Sequence, residues 1–279
     1  MFGNRADGKR IRKMPAFYKI IPYLMKKRSD SQVFFEDKIY LDNITEYIKN
    51  QKEQGNKITH MDIMIAALGR LLNERTHLNR FVMNRKIYQR KETVVSLAIK
   101  KQLLDDAMET TVKFKIKPED TLQDVSKQIA EITRQNKEEE SKNSTDKLAN
   151  IIMSFPNILI KGIVAFFELL DAWELLPKAI IEASPLHTSA FLTNMGSLGV
   201  NSIYHHIYDF GTTSIFVSMG TKKYEKEADG TIRKYIDMKV VADERICDGL
   251  YYARSLNMYK KYIENPHLLE NPSQGEVKL

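Results

Sequence analysis

The distribution of strand-like segments most constrains the fold. Six runs are rich in β-branched and aromatic residues and predict strands: 31–41, 94–100, 109–116, 188–193, 212–219 and 231–242. Segments with helical apolar periodicity separate them, but helices and strands do not alternate strictly, as they would in repeated βαβ units. The sequence therefore predicts an α+β fold with a central mixed sheet and flanking helices.

The basic residues are concentrated at the N-terminus. The chain has 279 residues and a net charge of +7, and 43% of its residues are hydrophobic, which is enough for one large core. Residues 1–30 carry nine of the 43 basic and two of the 36 acidic residues, so the other 249 hold 34 of each. We expect residues 1–24 to be a basic, solvated N-terminal arm, 25–265 the main domain and 266–279 a C-terminal tail. The charge lacks the motif support that a nucleic-acid interface usually shows.

Several other classes of protein are disfavoured. The single cysteine, Cys247, cannot form a disulfide within the chain, which points to a reducing, cytoplasmic setting. Residues 158–176 form the longest apolar stretch, but four charges interrupt it, so we predict a core-packed helix and no transmembrane segment. The histidines show no metal-ligand spacing, so we expect no metal site.

Three separated segments carry a family resemblance. The first is Thr59-His-Met-Asp-Ile-Met-Ile-Ala-Ala-Leu followed by Leu78-Asn79-Arg80-Phe81, the second is Phe191-Leu-Thr-Asn-Met-Gly196, and the third is Asp243-Glu-Arg-Ile-Cys-Asp-Gly249. In order and spacing they resemble the catalytic domain of the 2-oxoacid dehydrogenase acyltransferases and of chloramphenicol acetyltransferase. The resemblance spans roughly residues 25–265 and implies the two-layer fold of that family.

The resemblance also implies a reaction and an assembly. Members transfer an acyl group from a coenzyme A thioester to a thiol or hydroxyl acceptor, with active sites between the subunits of a homotrimer. Acyl-CoA would thus be a substrate, with no metal required. The lipoyl domain of a complete dehydrogenase acyltransferase is absent from this sequence, so no lipoyl attachment is expected in it.

The third segment departs from the family at its central residue, because Glu244 stands where the motif has its catalytic histidine. If the strand continued through this segment, Glu244 would share a face with Ile246 and point toward the site, away from Asp243 and Arg245. A surface glutamate is the alternative. An ordinary glutamate titrates about four pH units below a thiol and is a weak base for it, although burial can reduce that gap.

The resemblance assigns the other site residues. Thr193 takes the place of the motif serine, which donates to the oxyanion, and Ser189 lies on the same strand face as a second candidate. Arg245, Gly249, Asn194 and Gly196 belong to the motifs. The family pairs the aspartate that corresponds to Asp248 with an arginine, and Arg10, Arg12 and Arg28 are the candidates here.

A histidine pair and the single cysteine are two further features of the sequence. His205 and His206 precede Asp209-Phe-Gly211 and resemble a condensation-domain motif, but the spacing differs, so a loop pair is favoured; either remains an alternative base. Cys247 is expected to be a buried, inert thiol. The sequence thus predicts a CoA-dependent acyltransferase-like enzyme, or a catalytically inactive trimeric homologue that binds or scaffolds.

Overall fold

The computed structural model describes residues 5–100, 109–138 and 150–277. Its strands are β1 (Gly8–Arg10), β2 (Gln32–Tyr40), β3 (Arg80–Met83), β4 (Lys86–Arg90), β5 (Val94–Lys100), β6 (Glu109–Lys115), β7 (Ala190–Asn194), β8 (Ile215–Lys226) and β9 (Ile232–Asp243). Its helices are α1 (Ala16–Leu24), α2 (Asp42–Glu53), α3 (His60–Glu74), α4 (Leu122–Glu138), α5 (Asn157–Ala172), α6 (Lys178–Ala183) and α7 (Gly249–Glu264).

A six-stranded mixed sheet organises the molecule. Its strand order is β2-β9-β8-β7-β5-β6, and a smaller sheet has the order β1-β4-β3. β7 runs parallel to both β5 and β8, and the other neighbouring pairs in the large sheet are antiparallel. The predicted α+β class and central mixed sheet are confirmed.

The helices α3, α4 and α7 cover one face of the large sheet. α3 begins at a capping box, in which the Thr59 hydroxyl accepts from the Asp62 amide and the Asp62 carboxylate accepts from the Thr59 amide. Almost all of α3 is buried, because the sheet lies on one side and α4 and α7 on another. This apolar layer is the main core and contributes most of the hydrophobic stabilisation of the fold.

The opposite face of the sheet carries a second, smaller cluster. Phe191 and Phe216 stack with ring centroids 5.0 Å apart, and Val241 and Ile207 complete the cluster. The extended segment 201–208 crosses this face, and Tyr204 contacts both the Phe34 ring and the Glu36 carboxylate. One segment of extended chain therefore covers part of this face.

The N-terminal arm is not fully solvated, contrary to expectation. β1 pairs with β4, and Arg5 is 2% exposed, with its guanidinium bound to the carboxylates of Asp7 and Asp171. An arginine can bury its aliphatic side chain when its guanidinium is paired with a carboxylate. A segment rich in basic residues is therefore not necessarily exposed. Residues 16–24 form α1, which begins directly after Pro15.

The apolar stretch at 158–176 is helical, as predicted, but the expectation that it packs in the core is wrong. α5 exposes Ile158, Leu159, Phe166 and Leu169, and Trp173 after its end is also exposed. Its buried residue Asp171 binds Arg5 and His187. Within the described residues, no helix has both the length and the apolar character needed to cross a bilayer.

Candidate active site

The segment 243–249 forms a tight turn between β9 and α7. β9 ends at Asp243, and the Glu244 amide donates to the carbonyl of Ser31 at 2.8 Å. Because the extended backbone stops there, the strand alternation assumed for Glu244 does not apply. Ile246 and Cys247 are buried, whereas Glu244 is exposed, so the expected shared face of Glu244 and Ile246 is wrong.

Asp243 anchors this turn to the protein. Its carboxylate is fully buried and accepts from Arg245 Nε at 2.8 Å and from Arg245 Nη2 at 2.7 Å. Arg28 Nε lies 3.6 Å from the same carboxylate, and the Ser31 hydroxyl donates to it at 3.2 Å. Burial lowers the pKa of Arg28 from its ordinary value, although Asp243 opposes that shift.

The arginine partner expected for Asp248 is therefore found elsewhere. Arg28, one of the three candidates, pairs with Asp243, and Asp248 is exposed and caps α7 by accepting from the Tyr251 amide at 2.9 Å. A capping carboxylate also stabilises the helix N-terminus electrostatically. The resemblance identified the right kind of pair but the wrong aspartate, because two aspartates flank the turn.

Cys247 is a buried free thiol, as the sequence suggested. Burial raises its pKa, so the thiol stays protonated at neutral pH and is a poor nucleophile. Gly249, the motif glycine, is the first residue of α7 and has open space where a Cβ would lie.

Thr193 lies near the end of β7 and is partly exposed. Its hydroxyl is 3.8 Å from the sulfur of Met195, a weak acceptor, so the O–H remains available to a stronger one. Ser189, in contrast, is buried, and its hydroxyl accepts from the Val94 amide at 2.9 Å. The hydroxyl of Ser189 is engaged in holding the strands together, whereas that of Thr193 faces outward.

The turn after Thr193 needs both of its motif residues. The Asn194 side chain accepts from the Ser197 amide at 3.1 Å and so fixes the turn. A Cβ on Gly196 would lie 2.4 Å from the carbonyl oxygen of Gly220, so only glycine allows these backbones to approach. These contacts fix the backbone of the turn that directly follows Thr193.

Glu244 and Thr193 are far apart within one chain. Thr193 lies opposite Ser218, and Ser218 lies opposite Lys239 in β9. Asp243, the last residue of β9, follows Lys239 by four residues, and Glu244 is the next residue. The Cα atoms of Glu244 and Thr193 are therefore roughly 16–19 Å apart, from about 3.3 Å per residue and about 4.8 Å per strand. No single small substrate can touch both side chains of one chain at the reacting atoms.

His205 lies on the same sheet face as Thr193. Its ring stacks on Phe216 at 4.0 Å, and Phe216 is two residues before Ser218, the partner of Thr193. His205 Nδ1 is 2.8 Å from the His206 carbonyl oxygen. A carbonyl can only accept, so this nitrogen carries the proton and Nε2 keeps its lone pair. Burial lowers the pKa of His205, which favours the neutral ring.

His206 is exposed and stacks against His205 with centroids 4.7 Å apart. Asp209, at the end of this segment, accepts from the Ser29 amide and hydroxyl, each at 3.0 Å. Burial favours a higher pKa for Asp209, but those hydrogen bonds and Arg28 lower it overall. Asp209 thus ties the histidine segment to Arg28 and the turn, a contact that sequence analysis missed because 180 residues separate the partners.

A positively charged cavity lies beside the turn. It has a volume of about 270 Å³, and five basic residues and one acid contribute to its lining: Lys26, Lys27, Arg28, Arg85, Arg245 and Asp209. Such a lining suits an anionic ligand. Across the described ranges, no group of three potential metal ligands comes together.

Comparison with known proteins gives a family match and a fold. Residues 182–270 match the family model described as 2-oxoacid dehydrogenases acyltransferase (catalytic domain). No curated protein sequence matches the chain significantly. The resemblance seen in the sequence motifs is thus confirmed for the C-terminal part of the chain.

Three solved structures illustrate the fold. A probable dihydrolipoamide acetyltransferase from Listeria monocytogenes is 16% identical, with a TM-score of 0.58 over 97% of this chain and 98% of that one. The Azotobacter vinelandii dihydrolipoamide acetyltransferase is 11% identical, with a TM-score of 0.59 over 94% of each chain. A chloramphenicol acetyltransferase is 12% identical, with a TM-score of 0.54 over 92% and 98%. The chain has the chloramphenicol acetyltransferase-like fold.

Proposed function

We propose that this protein is a CoA-dependent acyltransferase that moves an acyl group from a thioester to a thiol or hydroxyl acceptor. The observation that carries the proposal is the family match at residues 182–270, because it includes both the Thr193 turn and the turn at Glu244. The single cysteine is consistent with action in a reducing compartment such as the cytoplasm.

The reaction needs a base and an oxyanion donor. The base takes the proton from the acceptor as its sulfur or oxygen attacks the thioester carbonyl carbon. The Thr193 hydroxyl donates to the oxygen that becomes negative, a contact typically worth about 3 kcal/mol of barrier. The tetrahedral intermediate then expels the CoA thiolate, which takes the proton from the base.

Glu244 and His205 are the two candidates for the base. The Glu244 carboxylate is exposed and has no side-chain partner among the described residues, so its own chain does not bury it. Burial by a neighbouring subunit would make it a better proton acceptor. His205 already presents an unprotonated Nε2 on the sheet face that holds Thr193.

The separation of roughly 16–19 Å between Glu244 and Thr193 favours an active site between subunits, as in the homotrimer that the resemblance implies. In such a site one subunit supplies Thr193 and its neighbour supplies Glu244. If His205 is the base, by contrast, His205 and Thr193 lie on the same sheet face of one subunit. The choice of base thus depends on the assembly.

Activity is tested with purified protein, acetyl-CoA or succinyl-CoA, and hydroxyl or dithiol acceptors, with the acylated product detected by mass spectrometry. Thr193→Val keeps the shape and removes the hydroxyl, so we expect about a 100-fold or greater loss of kcat. Thr231→Val, in the β8–β9 turn, is the matched control and should keep full activity. Equal activity of the two variants would remove Thr193 from the mechanism.

The base is identified with Glu244→Gln, His205→Gln and a mixing experiment. If Glu244 acts across an interface, a co-expressed equal mixture of Thr193→Val and Glu244→Gln chains regains about a quarter of the wild-type activity through mixed interfaces. The control is a mixture of two Thr193→Val chains that carry different tags, in which no interface regains Thr193. Loss of activity in His205→Gln alone assigns the base to His205.

The alternative is a catalytically inactive trimeric homologue that binds or scaffolds, which the replacement of the motif histidine by Glu244 favours. It predicts CoA binding by calorimetry without turnover, and turnover gained on Glu244→His. Absence of both turnover and CoA binding would refute the acyltransferase proposal.

A further inference from the structure

The helix α5 turns an apolar face toward solvent. At about 100° per residue, Ile158, Leu159, Phe166 and Leu169 fall within one third of the helix circumference. Their exposed fractions range from 44% to 79%. The opposite side carries the partly buried residues and ends at Asp171, which binds Arg5 and His187. A contiguous exposed apolar surface of this kind marks an interaction site.

A second apolar face lies on α1. Phe17, Ile20 and Leu24 have the spacing of one helical face and are 71%, 48% and 73% exposed. Pro22 is the buried residue of this helix. α1 is therefore also a helix whose apolar side is turned outward.

The turn between β3 and β4 links the two helices. The guanidinium of Arg85 lies 5.9 Å from the centre of the Tyr23 ring in α1. The side chain of Asn84 donates to the carbonyl of Ala172 at the end of α5, at 3.3 Å. Asn84 and Arg85 have φ of 46° and 58°, the left-handed conformation of a tight hairpin turn. The turn thus connects the ends of both apolar helices.

Basic side chains surround that turn. A cavity of about 300 Å³ beside α1 is lined by Arg10, Arg12, Lys19, Arg85 and Lys86 and by no acidic residue. The basic cavity next to the turn at Glu244 shares Arg85 with it. Two apolar helices and a positive surface therefore meet at one place in the molecule.

We propose that α1, α5 and the β3–β4 turn form a surface that binds anionic lipid bilayers without crossing them. Apolar side chains that enter the headgroup region and nearby Lys and Arg that attract anionic lipids are the two contributions to such binding. A second copy of the chain would bring the same positive charges to the contact, whereas an anionic bilayer is complementary to both features.

The only tryptophan of the chain, Trp173, reports directly on this surface. It follows the end of α5 and is 54% exposed. We expect its emission to shift to shorter wavelength when vesicles of phosphatidylcholine with phosphatidylglycerol are added, and lipids with brominated acyl chains to quench it. Vesicles of phosphatidylcholine alone, or high salt, should give a weaker response. Unchanged emission with anionic vesicles would refute the proposal.

Variants locate the contact. Phe166→Gln with Leu169→Gln should lower vesicle binding in a flotation assay at least tenfold. Tyr224→Gln with Ile232→Gln is the matched control, because both residues are exposed at the far tip of the β8–β9 hairpin. Circular dichroism verifies that each variant is folded.

Charge variants test the other contribution. Lys19→Gln with Lys27→Gln should remove the preference for anionic vesicles, whereas Lys226→Gln should not. Analytical ultracentrifugation tests the alternative that a second copy of the chain binds this surface. If the α5 variant abolishes self-association and leaves vesicle binding intact, a second copy covers α5 and the lipid proposal is wrong. The lipid proposal is also wrong if the wild-type protein floats with neither kind of vesicle.

Discussion

Replacing Asp243 by asparagine should destabilise the protein strongly. The Asp243 carboxylate is fully buried and lies between two buried guanidiniums, those of Arg28 and Arg245. Asparagine has nearly the same shape, but it removes the negative charge. The two arginines then remain buried, close to each other, without the compensating charge.

The structure gives the size of this effect. The two hydrogen bonds from Arg245 are short, 2.7 Å and 2.8 Å, and bonds to a charged group contribute about 1.5–3 kcal/mol each. Arg28 also donates to the carbonyls of Tyr208 and Val82, so part of its charge stays solvated by the backbone. We therefore expect the free energy of unfolding to fall by about 3–4 kcal/mol, which is in the lower part of the range for breaking a buried ion pair.

Urea unfolding measures this loss, provided that the m-value is unchanged. Asp42→Asn is the control, because Asp42 and Arg233 form an exposed ion pair at 2.9 Å whose loss should cost less than about 1 kcal/mol. Equal shifts of the unfolding midpoint in the two variants would show that the buried charge contributes little, and the argument for an anchored turn would be wrong.

Three further changes are expected. Gly196→Ala places a Cβ 2.4 Å from the Gly220 carbonyl oxygen and should lower the thermal midpoint by the equivalent of about 2–3 kcal/mol. Gly162→Ala is the control, because a Cβ there meets open space, and it should stabilise α5 by up to about 1 kcal/mol. Burial, and secondly the charge of Arg80, lowers the pKa of His77 to about 4. Below pH 6.5 the unfolded chain therefore binds more protons than the folded one. The free energy of unfolding should fall by about 1–2 kcal/mol as the pH drops from 6.5 to 4, after allowance for solvent screening. His77→Gln should flatten that pH profile in urea unfolding, and an unchanged slope would exclude His77. Arg5→Met removes the nearer cation from two largely buried carboxylates, which keep only Arg90 at 3.6 Å from Asp7 and His187 at 3.1 Å from Asp171. It should cost about 3 kcal/mol in the same assay, far more than Lys178→Met at an exposed site.

Local sequence patterns predicted the elements of the sheet well. The strand runs near 31–41 and 231–242 correspond to β2 and β9, and Asn84-Arg85 forms the hairpin turn between β3 and β4. These features depend on residue type and short-range spacing: β-branched residues favour strands, and asparagine tolerates the left-handed backbone of the turn.

Long-range partners were not predictable. The anchoring role of Asp243 depends on Arg28, more than 200 positions earlier in the chain, and nothing local distinguishes Asp243 from Asp248. The helical spacing of 158–176 predicted α5 but gave no information on whether another layer covers its apolar side. Both errors concern tertiary packing, which a single sequence does not encode in any short pattern.

Asp243 and Glu244 allow stability and function to be separated at adjacent positions. The backbone that carries Glu244 is fixed by the buried Asp243 before it and by the buried Arg245, Ile246 and Cys247 after it. A side chain that points outward from so constrained a turn is well placed to act on a ligand or a neighbouring subunit, because rigid support is what a site residue requires. Glu244→Gln should therefore leave the unfolding midpoint unchanged, as expected for an exposed side chain that binds no other side chain in the described ranges, while Asp243→Asn shifts it. If Glu244→Gln also leaves turnover and CoA binding unchanged, the turn is structural and His205 becomes the base to pursue.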